Sequence, residues 1–80
     1  MSVSFPSINS KQMVKVAEEL GFRLIRQRGS SHAIYMRKTD KRRTTIPIHG
    51  KKSLKRKTIK SICKDLEISI NELRNLLKKG

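Results

Sequence analysis

The chain predicts an α+β domain in which a three-stranded antiparallel sheet is backed on one face by helices. Three observations carry this expectation: an amphipathic stretch runs up to Gly21, three short β-patterned runs follow it, and two more helical patterns close the chain.

The first helix is expected to start at Asn9 or Ser10. Asn9 offers an N-cap side chain, and Gln12, three residues on, completes a capping-box pattern. Met13, Val16, Ala17 and Leu20 then follow the i, i+3, i+4, i+7 spacing of a helix with one buried face. Gly21 supplies the left-handed residue expected just beyond a helix end, so the run from Phe22 to Gln27 reads as the first strand. Gly29 and Ser30 make the turn into a second strand, from about Ser31 to Arg37. Its two alternating sets are His32, Ile34, Met36 and Ala33, Tyr35, Arg37. Neither set is cleanly polar, so the pattern leaves open which face His32 shares with the core.

Thr39-Asp40-Lys41-Arg42 reads as the next turn, followed by a third strand from Arg43 to Ile48. Pro47 has no N–H for a ladder, which assigns this strand to a sheet edge or keeps it short. After His49-Gly50 comes a basic connector with Leu54 as its one apolar anchor. A helix from about Lys57 then places Ile59, Ile62, Cys63 and Leu66 on one face, and Ser69-Ile70-Asn71-Glu72 is a second capping-box pattern. It opens a short last helix with Leu73, Leu76 and Leu77 inward.

Eighty residues make one domain, residues 1–80, and a chain of this size buries only ~60% of the surface it exposes unfolded. The core is therefore small. Twenty Lys and Arg oppose six Asp and Glu, a net charge of +14 that points to a nucleic-acid partner. Between Arg37 and Lys60 lie eleven Lys or Arg and a single acid, Asp40, so the charge is concentrated. Each phosphate it neutralises releases condensed counterions, and affinity is expected to fall steeply with salt. No apolar run is long enough to span a bilayer, and the N-terminus lacks the pattern of a signal peptide, so no membrane association and a cytoplasmic location are expected. Cys63 has no second cysteine to pair with and reads as a small core residue. With only Phe5, Phe22 and Tyr35, the chain lacks the rings for a base-stacking platform.

Metal-dependent nucleases hold their ion with converging carboxylates, whereas Glu18 and Glu19 diverge on one helix and Asp40, Asp65, Glu67 and Glu72 are scattered. Neither a metal site nor another cofactor is expected. The chemistry left is metal-free cleavage of RNA, in which a base takes the 2′-hydroxyl proton and cations stabilise the charge building on phosphorus. His32 and His49 are the side chains that ordinarily titrate near neutrality. His32 follows a Gly-Ser-Ser turn whose amides and hydroxyls suit a phosphate, although a strand histidine more often packs than catalyses. Arg26, Arg28, Gly29, Ser30 and Ser31 at this turn are RNA-binding candidates. So are Arg37, Lys38, Arg42, Arg43, Lys51, Lys52 and Lys55 in the basic stretch. His49 and Tyr35 are accessory candidates.

These residues also form a familiar series: Gly21-Phe22, Arg26-Gln27-Arg28-Gly29-Ser30-Ser31-His32 with Tyr35, Ile46-Pro47-Ile48-His49, Leu54-Lys55, Ile68-Ser69 and Glu72-Leu73. In order and spacing the series, from about Ser10 to Leu77, resembles the HicA toxin family, also called YcfA-like. The resemblance implies a double-stranded-RNA-binding-domain-like fold, α-β-β-β-α. It also implies a toxin that cleaves mRNA and a cognate HicB-type antitoxin that masks its active site. The family's catalytic histidine falls on His32, which would act as general base or acid. The family motif has one serine before that histidine and this chain has two, so either Ser30 or Ser31 takes its place. Lys57 stands where the family commonly has glycine. The reading from another class is a double-stranded RNA-binding module without activity.

Overall fold

The computed structural model describes residues 6–29 and 31–79, with backbone alone for residues 28 and 79. Phe5 and Ser30 lie outside the described residues. The order is α1 (Ser10–Glu19), β1 (Phe22–Arg28), β2 (His32–Arg37), β3 (Arg42–Pro47), α2 (Arg56–Leu66) and α3 (Ile70–Lys79). The strands form one antiparallel sheet in the order β1-β2-β3. This is the expected α+β, α-β-β-β-α arrangement of a double-stranded-RNA-binding-domain-like fold.

Both capping boxes form. Asn9 Oδ1 accepts the Gln12 N–H at 2.9 Å while Gln12 Oε1 accepts the Asn9 N–H at 2.9 Å. At α3, Ser69 Oγ accepts from the Glu72 N–H and Glu72 Oε1 from the Ser69 N–H. Each box satisfies two backbone groups that the first turn of a helix leaves without partners. Helix α2 starts without one: its N-cap, Lys55, makes no side-chain cap bond. Lys57 falls inside its first turn. Gly21 takes φ +91°, a left-handed value that a side chain would resist, and so turns the chain from α1 into β1.

Helices α1 and α2 pack against one face of the sheet, and α3 packs against both helices. Phe22, Met13, Ala17, Ile46 and Leu73 are wholly buried between these layers, with Ile8, Val16, Ile59, Ile62, Cys63 and Leu66 around them. Burial pushes the Cys63 thiol pKa up, as fits a core residue. A hydrogen bond of 3.0 Å from Thr44 Oγ1 to Asp65 Oδ2 pins β3 to α2. Burial alternates along the middle strand: Ala33 and Tyr35 face the helices, which turns His32, Ile34 and Met36 to the open face. That resolves the ambiguity of the sequence pattern.

Element ends differ from expectation by a residue or so. The larger differences are at the termini. Ile8 is buried and its carbonyl accepts from the Leu54 N–H at 2.8 Å, so the segment before α1 joins the core. Helix α3 has ten residues, as many as α1, rather than being short. Replacing Phe22 by Ala removes a ring that the small core cannot collapse to fill, and urea unfolding should show a loss of about 3–5 kcal/mol.

Candidate nucleic-acid interface and histidine site

A one-residue bulge in β1 shapes the open face. Leu24 pairs with Tyr35 and Arg26 with Ile34, so Ile25 has no partner across the ladder. An extra residue in one strand sends every later side chain to the opposite face from an unbulged strand. The bulge therefore sets Arg26, and not Ile25, beside Ile34 on the open face, and makes Arg28 the ladder partner of His32. Leu24 and Ile25 are left half-exposed at this edge. On the other side of β2, His32 pairs with Pro47, Ile34 with Thr45, and Met36 with Arg43.

His32 is exposed at the first position of β2, directly after the turn at Gly29, whose φ is +56°. Its Nδ1 lies 3.1 Å from Ser31 Oγ. Ser31 thus engages the imidazole, and Ser30 lies outside the described residues. In the tautomer whose Nδ1–H donates to Ser31, Nε2 keeps its lone pair and is free to accept a proton.

The strand ends around His32 are held by backbone groups. Ile48 N–H donates to the Ser31 carbonyl at 2.8 Å, continuing the β2–β3 ladder one residue past the strands. Ser10, buried at the start of α1, donates its hydroxyl to the Pro47 carbonyl at 2.6 Å and accepts the His49 N–H at 2.9 Å. One hydroxyl thus satisfies both polar groups that β3 leaves over where Pro47 ends it. His49 itself is exposed and lines an open cleft of about 390 Å³ with Pro47, Lys52, Leu54, Lys55 and Thr58.

The remaining candidates divide between the two ends of the sheet. Arg26, Gly29, Ser31, His49, Lys52 and Lys55 belong to the His32 end. Lys51 is exposed in the loop between His49 and that cleft. Arg37, Lys38, Arg42 and Arg43 lie at the other end, five residues or about 17 Å along the strand. Two of those four are engaged there. Arg37 meets Asp40 at 2.7 Å, donates to the Leu20 carbonyl and stacks 5.0 Å over the Phe22 ring. Arg42 Nε is 3.3 Å from Glu67 Oε1, at an angle too poor for a hydrogen bond. Tyr35 is buried on the helix face, where desolvation first and Glu18 second raise its hydroxyl pKa.

Sequence reasoning passed over Arg23, Thr45, Thr58 and Ser10. Arg23 pairs with Met36 and donates to the Glu18 and Phe22 carbonyls; Thr45 lies exposed beside Ile34. The adjacent apolar pair Leu24-Ile25 was the available signal for the bulge, since strict alternation buries only one of two neighbours. Nothing local marks Ser10 as a link to residues 47 and 49. Among the described residues no three His, Cys, Asp or Glu side chains converge on a point, and no helix is long and apolar enough to cross a membrane.

Two outcomes follow from this geometry. Ser10→Ala strands the His49 N–H and the Pro47 carbonyl, and should cost about 1–3 kcal/mol in urea unfolding. The Arg37 guanidinium, helped by the Arg42 N–H, holds the Asp40 carboxyl down to about 2. Because that lies below the value of about 3.9 for an unfolded chain, the pair stabilises fully above that value and its contribution is lost as pH falls through 2. Wild type should unfold at higher urea than Asp40→Asn at pH 5, and the gap should close by pH 2.

A family model for the HicA toxin of bacterial toxin-antitoxin systems matches residues 10–68, from the first residue of α1 to just beyond α2. No curated protein matches the chain. The matched region takes in the whole sheet, His32 and His49, and covers well over half of the sequence. The chain belongs to the HicA toxin family, the toxin partner of a toxin-antitoxin pair.

Proposed function

We propose that this toxin is a metal-independent endoribonuclease that cleaves mRNA in the cytoplasm, with His32 as the general base. The observation that carries the reading is an exposed imidazole, oriented through Nδ1 by Ser31, on the open and basic face of the sheet. The RNA backbone lies along this face, its phosphates neutralised by Arg26 at the bulge and by the lysines at the His49 end. His32 Nε2 takes the proton from a 2′-hydroxyl, and that oxygen attacks the adjacent phosphorus. Nearby cations stabilise the charge that develops on the phosphoryl oxygens. DNA lacks the nucleophile and is not cut. The family's antitoxin, of the HicB type, inhibits by covering this face, and the toxin's charge favours an acidic surface on that partner.

Purified protein incubated with RNA in excess EDTA should cut it. His32→Ala should lose about 10²- to 10⁴-fold in rate while keeping its RNA affinity and its thermal midpoint. Loss of cutting in EDTA, or normal cutting by the Ala variant, would sink the mechanism. RNA binding without products from the wild type would leave an inactive double-stranded RNA-binding module.

A further inference from the structure

We infer that His49 is the second proton-transfer residue, the acid that protonates the 5′-oxygen as it leaves; the inference rests on the endoribonuclease reading above. Cleavage through the 2′-hydroxyl needs a proton removed at one apical oxygen of the phosphorus and supplied at the other. One imidazole at His32 serves the attacking side. The leaving side needs a second group, held a fixed distance away.

The strand ends place His49 there. His32 is the ladder partner of Pro47, and the bond from Ile48 N–H to the Ser31 carbonyl carries the ladder one residue further. His49 therefore stands just past the end of β3, two residues beyond the ladder partner of His32 and at the same end of the sheet. The His49 backbone is fixed by the buried Ser10 hydroxyl, which takes its N–H at 2.9 Å. Its ring makes no hydrogen bond among the described residues and stands exposed at a cleft whose walls include Lys52, Lys55 and Thr58. Here the backbone is anchored and the ring is left for a ligand, with two cations beside it to hold the next phosphate of the leaving strand.

The step balances. The 2′-hydroxyl proton passes to His32, the O2′–P bond forms, the P–O5′ bond breaks, and O5′ takes its proton from the His49 imidazolium. The products are a 2′,3′-cyclic phosphate and a 5′-hydroxyl. His32 ends protonated and His49 neutral, and exchange with water restores both.

The test compares two versions of a short RNA whose cut site has been mapped with wild type. One is natural, and the other carries sulfur in place of the bridging 5′-oxygen, so that a thiolate departs without needing a proton. On the natural RNA, His49→Ala and His49→Gln should each lose about 10²- to 10⁴-fold in kcat with little change in KM. On the sulfur substrate both should return to near the wild-type rate, whereas His32→Ala should stay slow on both. Equal losses by the His49 variants on the two substrates, or wild-type cutting of the natural one, would overturn the assignment and leave His32 untouched. Failure of the wild type to cut either RNA would overturn the endoribonuclease reading together with it. Thermal midpoints equal to wild type confirm folding, since the His49 backbone bond to Ser10 does not involve the replaced side chain.

Discussion

A chain of eighty residues can build one core, and one core can cover one face of a three-stranded sheet. Everything else in this structure depends on that constraint. Phe22, Ile46, Ala33 and Tyr35 point into a layer filled by α1 and α2, with Leu73 of α3 closing it. Among the described residues no element covers the other face. It carries Arg26, His32, Thr45 and Arg43 around the half-buried Ile34 and Met36. A net charge of +14 works against compactness through self-repulsion. Thin core and strongly basic surface are two consequences of one composition.

Both histidines lie at one end of the sheet rather than along its middle. At one end of the sheet a glycine turn, the proline that ends β3 and the first residue of α1 meet within a few residues of both histidines. Such junctions leave backbone groups unpaired, and here the Ser10 hydroxyl and the Ser31 carbonyl take them up. The result is a hydrogen-bonded frame beside two exposed imidazoles. At the other end, Arg37 is tied to Asp40, to the Leu20 carbonyl and to the Phe22 ring, so its charge helps hold the β2–β3 turn against the end of α1. Cations that look alike in a composition count thus divide into a set that holds the fold and a set that faces solvent.

The region matched by the HicA family model ends at residue 68, yet the core does not. Leu73 of α3 is wholly buried and Leu76 and Leu77 pack beside it, while at the other terminus Ile8 is covered and bridged to Leu54. The described residues of these flanking segments enlarge a core that the matched region alone would leave smaller.

What the sequence determined by itself was whatever depends on neighbours a few residues apart. Asn9 with Gln12 and Ser69 with Glu72 start their helices through bonds closed within one turn, and Gly21 ends α1 by its own backbone freedom. Periodicity marked Met13, Val16, Ile59, Ile62 and Leu73 as inward. Tertiary structure alone decided the face His32 occupies, because the helices choose the side that buries Ala33 and Tyr35. It likewise decided where the bulge sends Arg26, and that Ser10 reaches Pro47 and His49. Each of these joins groups on different elements or depends on the register between strands, and no local pattern encodes a partner dozens of residues away.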